Sequence, residues 1–247
     1  MISSSDALSL YVATHIARAN DAHRSNELAW FRTGAPHEEL NGVLYATAAA
    51  VGDAVVEFAG VAALWHSWPE RPEFDIEAQL RARGFSFVEE EPVMVMSLAR
   101  SAAASVTESA GPACIRRVET APDLAAWEEI WSGEESNPAT LSALAAAGLG
   151  SDRTVHHLLA EIDGVAVGCG AAVVTGAALA VEHIVTSPSH RRRGIGSQLT
   201  AAALAVGRQL GADHAILTAS PDGERLYERL GFVRREQVRR FAPPEVG

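Results

Sequence analysis

The sequence predicts a mixed α/β (α+β) fold in two domains, and three observations lead there. The C-terminal half reads as β-α-(α)-β-β-β-α-β-α-β, an antiparallel meander feeding a strand–helix–strand unit. Residues 99–113, ARSAAASVTESAGPA, are small, polar and aperiodic, which is linker composition. They suggest a first domain at 1–100, a linker at 101–112 and a second domain at 113–247. The third observation is a strand that ends at Thr186 and turns, through arginines and glycines, into a helix.

The elements of the second half follow in order. CIRRVE is a short strand. TAPDLAAWEEIW has Thr120 or Asp123 as a helix N-cap, with Leu124, Trp127 and Ile130/Trp131 at helical spacing. TVHHLLAEI and VAVGCGAAVV are strands joined at Asp163-Gly164, a strong hairpin dipeptide. Thr175-Gly176-Ala177 turns into a third strand, ALAVEHIVT. The next helix begins near Gly194, with Ile195, Leu199, Ala203, Val206 and Leu210 on its apolar face. HAILTA is a strand, DGERLYERLG a short helix stopped by Gly231, and FVRREQVRRFA one or two closing strands.

Composition narrows the function. The 247 residues are 48% apolar and 21% charged, normal for a globular protein. The 20 basic residues are all Arg, set against 31 acidic ones, for a net charge of −11. So acidic a chain argues against general nucleic-acid or anionic-membrane binding. No apolar run approaches the ~20 residues of a membrane span, and MISSSDALSL does not read as a secretory signal. Cys114 and Cys169 are too few for a disulfide framework. The expectation is a cytoplasmic protein, monomeric or homodimeric, without nucleic-acid or membrane partners. His156 and His157 are adjacent and would point to opposite faces of a strand, so no metal site is expected.

The chemistry concentrates in VTSPSHRRRGIGSQLT. A helix N-terminus offers unpaired N–H groups and a positive dipole end. Gly194 and Gly196 let an anion approach the backbone, and Arg191, Arg192 and Arg193 add charge and bidentate donors. This is a phosphate or pyrophosphate cradle. A Walker loop is excluded because the chain has no Lys, and a Rossmann fingerprint fits poorly because Leu199 stands at its third glycine.

Arg191-x-x-Gly194-x-Gly196 resembles the acyl-CoA pyrophosphate loop of the GNAT N-acetyltransferase superfamily. Leu226-Tyr227-Glu228-Arg229-Leu230-Gly231-Phe232 resembles the L-Y-x-x-x-G-F of its last helix. The resemblance covers roughly residues 114–242. It implies GNAT-like domains, each a mixed, mostly antiparallel sheet flanked by helices. It implies acetyl-CoA as acyl donor and the amine of a small molecule or peptide as acceptor. Ile184, Val185 and Thr186 would pair with the pantetheine arm, and Arg191 to Ser197 (with Ile195 inside the loop) would hold the pyrophosphate. Ser220 stands where many members carry an Asn. Tyr227 would protonate the departing thiolate, since a thiol and a phenol, with pKa values of about 8.5 and 10, are close enough for proton transfer.

Glu182 precedes the loop on the same strand, and many members use an acidic residue there as the base. Strand alternation puts Glu182 with Ala180 and Ile184, and His183, the substitute base, with Val181 and Val185. Cys169 reads as a small buried residue. Trp65, His66 and Trp68 read as core.

The first half carries a faint echo of the second. Leu80-Arg81-Ala82-Arg83-Gly84-Phe85 aligns with Tyr227 to Phe232, and both precede a strand, here VMVMSL. Nothing from Leu40 to Phe74 resembles the phosphate loop, and Leu80 replaces Tyr227. The half therefore resembles a degenerate GNAT domain, in a tandem arrangement, that walls the acceptor cleft. The competing expectation is a non-catalytic acyl-CoA-binding sensor or partner module.

Overall fold

The computed structural model describes residues 3–98 and 111–244. The expected linker at 101–112 falls outside them except for Gly111 and Pro112. The first half contains α1 (Ser4–Ala17), β1 (Asp21–Arg24), β2 (Leu28–Arg32), β3 (Asn41–Ala46), α2 (Val51–Glu57), β4 (Leu64–Ser67), α3 (Glu77–Arg81) and β5 (Ser86–Ser97). The second contains β6 (Cys114–Arg117), α4 (Ala121–Ser132), α5 (Pro138–Gly148), β7 (Val155–Ile162), β8 (Val165–Thr175) and β9 (Ala178–Thr186). It ends with α6 (Ile195–Gln209), β10 (His214–Thr218), α7 (Glu224–Leu230) and β11 (Val233–Ala242).

The mixed, mostly antiparallel sheet flanked by helices holds, and local signals explain many of its boundaries. Thr120 caps α4 through its side chain, and Gly133 ends it in the left-handed region. Asp163 and Gly164 both take positive φ, as a two-residue hairpin turn requires. Leu210, expected on the apolar face of α6, is instead its C-cap and is 49% exposed. The helix stops at Gln209, and Gly211 at φ +83° turns the chain toward buried Ala212 and β10.

The strands form one sheet in the order β1-β2-β3-β4-β11-β5-β10-β9-β8-β7-β6. The two parallel pairs among the described residues are β3 with β4 and β9 with β10. Each is joined by a helix, α2 or α6, and each is followed by a short helix and a long strand. The closing strand of each half is exchanged. β11 lies between β4 and β5, and β5 lies between β11 and β10. The sequence echo is matched in the backbone. Gly84 and Gly231 have φ of +81° and +99°, and Phe85 N and Phe232 N bond back to the carbonyls of Leu80 and Tyr227.

Three apolar clusters hold the sheet. One packs α2 and α3 on the first half and includes Phe241 of β11. Another packs α6 on the second half and includes Met94 and Met96 of β5. The third covers the opposite face and joins the halves, with Tyr11, Phe31 and Trp68 against Leu124, Trp127, Leu159 and Ile216. α1 belongs to this third layer. Ser3 and Asp6 close its start as a reciprocal capping box, and Thr154 Oγ1 donates to the carbonyl of Ala17 near its end. A helix of the first half thereby lies across strands of the second.

Candidate active site

β9 and β10 pair only from Ala178 to Ala180 against His214 to Ile216. Beyond Ala180, β9 runs on to Thr186 with β8 alone as its neighbour. A bulge marks the divergence. On β8 the register moves from Cys169 to Ala171, while on β9 it moves from Val185 to Glu182. The extra residue leaves His183 at φ +55°, a backbone region uncommon for any residue but glycine.

The bulge corrects the alternation expected from sequence. Glu182 does share the face of Ala180, but Ile184 packs on the α6 side and His183 turns to the face of Glu182 and Val185. Both Glu182 and His183 therefore line one cavity of about 380 Å³ in the splay. Burial lifts the Glu182 carboxyl above its ordinary value; the Arg18 and Arg240 guanidinium groups oppose the rise and Glu39 adds to it. Burial, then Arg18, holds His183 well below the ordinary imidazole value.

The predicted cofactor residues gather beside this cavity. Ile184 and Val185 line it, and the carbonyl of Thr186 accepts a hydrogen bond from Arg191 Nε at 3.2 Å. Arg192 and Gly194 take φ of +59° and +85°, which turns the chain into α6. The first bond within α6 runs from Gln198 N to Gly194 O at 3.1 Å, so the N–H groups of Ile195, Gly196 and Ser197 have no acceptor in the helix. Ile195 is an anchor, 1% exposed, with its side chain in the core. A Cβ on Gly196 would stand 3.7 Å from both Ile184 Cγ2 and Leu226 Cδ2, so the helix start lies against the open strand. Arg191, Arg192, Arg193 and Gly194 are exposed.

Ser220 and Tyr227 line the same cavity from the side of β10. Tyr227 is 8% exposed, and burial, assisted by Glu91, pushes its phenol up to about 12. It is a proton-bearing donor at neutral pH. Cys169 is fully buried, and burial pushes its thiol up to about 12, consistent with a packing residue.

The first half closes the cavity with groups that the sequence reading did not select. Tyr11, Thr14 and His15 come from one face of α1, Arg18 from its C-cap, His66 from β4 and Glu39 from the turn before β3. Arg18 Nη1 bonds to Glu182 Oε2, and its Nη2 donates to the carbonyl of Glu39 at 3.3 Å. On β11, Arg240 Nη1 donates to Glu91 Oε2 at 2.7 Å, and Nη2 donates to Thr218 Oγ1 at 3.0 Å. Trp65 and Trp68 are core as expected, but His66 faces the cavity. The strand's alternation separates it from Trp65, and only tertiary packing shows which face is hollow. The legible signal was the 11, 14/15, 18 spacing of polar groups along the C-terminal part of α1 and its C-cap.

In the first half's own parallel pair, a buried indole lies where the strands part. β3 and β4 pair only at Gly42–Leu64 and Val43–Trp65. The carbonyl of Leu44, just beyond, accepts the Trp68 indole N–H at 2.8 Å, and that indole is fully buried.

The second half thus combines a splayed parallel pair with a glycine-capped helix N-terminus beside it. Residues 119–232 match the model described as the acetyltransferase (GNAT) family. The fold of the entire chain is similar to solved structures. A GCN5-related N-acetyltransferase from Kribbella flavida has a TM-score of 0.70 at 19% identity, over 99% of this chain and 96% of that one. A functionally unknown conserved protein from Staphylococcus epidermidis ATCC 12228 gives 0.62 at 13% identity, over 92% and 95%. A GCN5-related N-acetyltransferase from Sphaerobacter thermophilus gives 0.56 at 17% identity, over 81% and 70%. No curated protein sequence matches the chain at a significant level. Among the described residues, no helix is long and apolar enough to cross a membrane.

Proposed function

We propose that the protein is a cytoplasmic, acetyl-CoA-dependent N-acyltransferase that acetylates the amine of a small molecule or peptide. The observation that carries this reading is the cavity in the β9–β10 splay, with Glu182 and Tyr227 on its walls and the start of α6 beside it. Acetyl-CoA supplies an activated acyl thioester. The residues fit such a donor. The free N–H groups at Ile195, Gly196 and Ser197, with Arg191, Arg192 and Arg193, suit a pyrophosphate. The unpaired edge of β9 at Ile184, Val185 and Thr186 suits the amide-bearing arm, and its backbone donors suit polarisation of the carbonyl. Ser220 supplies a shorter polar contact near the arm.

Glu182 takes a proton from the acceptor ammonium, and its raised pKa makes it a better base. Tyr227 gives a proton to the departing sulfur. In the tandem reading, residues 1–100 are a degenerate GNAT-like half, 101–112 a linker, and only 113–247 is equipped for the donor. The plugging of the β3–β4 gap by Trp68 supports that asymmetry.

Calorimetry with acetyl-CoA, joined to thiol release across a panel of primary amines, tests the reading. Binding together with amine-dependent thiol release is expected. Binding without release across the panel favours a non-catalytic acyl-CoA module, and no binding removes both.

A further inference from the structure

His15 sits on α1 and is 8% exposed, its ring 4.1 Å from that of Tyr11 and 5.2 Å from that of Phe31. Its Nδ1 lies 2.8 Å from the carbonyl oxygen of Tyr11. A carbonyl oxygen only accepts, so Nδ1 carries the hydrogen and Nε2 carries the lone pair. Nε2 faces Glu182 Oε1 at 3.9 Å, while Glu182 Oε2 is engaged by Arg18. An imidazole lone pair and a carboxylate oxygen thus look at each other across a gap too wide for a hydrogen bond. With Glu182 ionised, as its proposed role as base requires, neither can donate to the other. The pair calls for a donor with two hydrogens between them, and both side chains line the cavity that also holds Tyr227 and Ser220.

We propose that the acceptor's amine nitrogen docks in this gap, donating one N–H to Glu182 Oε1 and another to His15 Nε2, which makes His15 a catalytic residue contributed by the first half. The inference rests on the cavity being an N-acyltransferase site. One ammonium proton passes to Glu182 Oε1, and the N–H electron pair stays on nitrogen as its lone pair. The second N–H remains on His15 and fixes the direction of that lone pair. An imidazolium there would repel the ammonium, so the role needs a neutral ring. The groups facing His15 are Arg18 and Tyr11 on α1, His66 on β4, Glu182 on β9 and Arg240 on β11. Burial, then Arg18, holds its pKa well below the ordinary value, so the ring stays neutral at physiological pH.

Nitrogen-15 NMR of the full chain at neutral pH reads the tautomer. His15 is expected with hydrogen on Nδ1 and a lone pair on Nε2, and n-butylammonium added to the CoA-loaded protein should move the Nε2 resonance. Hydrogen on Nε2, or an Nε2 resonance that n-butylammonium leaves in place, overturns the proposal. In turnover, His15→Phe keeps the ring volume and removes the acceptor. With the best amine of the panel, kcat/KM for the amine should fall about 10- to 100-fold while acetyl-CoA affinity holds. His15→Gln, which returns an acceptor near the former Nε2, should recover part of the loss. Unchanged amine kinetics in both variants overturns the proposal. A wild-type protein that binds acetyl-CoA but acetylates no amine defeats the enzymatic reading instead, and the NMR result then decides separately whether an ammonium occupies the gap.

Discussion

Arg18 tunes Glu182 from the other half of the molecule. Its guanidinium bonds one carboxylate oxygen and opposes the rise that burial imposes on the Glu182 carboxyl. As the proposed base, Glu182 would act only when ionised, so activity should fall as pH drops through its pKa. Removing a neighbouring cation raises a carboxyl pKa. Arg18→Gln should therefore shift the acid limb of the kcat/KM profile to higher pH, and an unmoved limb would separate Glu182 from the proton transfer. Tyr227 makes a different contribution. With its phenol near 12, against about 8.5 for a thiol, it is a firm hydrogen-bond donor and a reluctant acid. Tyr227→Phe should lower kcat by roughly 10²-fold, the lower end for acid–base groups, and leave acetyl-CoA affinity in calorimetry unchanged. An unaltered kcat would remove Tyr227 from the mechanism.

Elements set what those residues meet. The start of α6 lies within van der Waals reach of β9, because a Cβ at Gly196 would only just contact Ile184 and Leu226. Gly196→Glu puts a bulky anion where the cofactor's phosphates are proposed to lie, and it should abolish acetyl-CoA binding by calorimetry. Retained binding would mean that the anion site is elsewhere. Local chemistry made most of the second half legible. Caps, hairpin glycines and helical spacing gave α4, the β7–β8 turn and α6, and the loop motif singled out Arg191 to Ser197. The bulge at His183 was not legible, since strand period alone assumes one residue per step. The α1 face of Tyr11, His15 and Arg18 was missed for another reason. Its polar spacing acquires meaning only when α1 is laid across β9, a contact between residues over 160 apart in sequence.

At the scale of the whole molecule, the exchange of β5 and β11 makes the two halves interdependent. β10 has β5 as its partner on one side, and β11 lies between β4 and β5. A second half made alone would expose the edges of β10 and β11, and Met94 and Met96 would be missing from its α6-side core. Residues 112–247 expressed alone should be insoluble or fail to unfold cooperatively in denaturant, and should lack the Arg18 and His15 contribution to the cavity. A soluble fragment with a sharp unfolding transition and full activity would refute this. The linker composition between the halves marks a boundary in the chain, while the hydrogen-bonded sheet has no seam at that point.

The same exchange also places a demand on the chain as it is made. β5 ends at Ser97, yet the strands on either side of it, β10 and β11, begin only at His214 and Val233. At 5–20 residues per second, the ribosome needs on the order of ten seconds to deliver them. Through that interval the apolar run Val93-Met94-Val95-Met96 has neither sheet neighbour, a state open to pairing with another nascent copy. Slow decoding or a crowded polysome should therefore lower the yield of folded protein more than it would for two domains that close in turn.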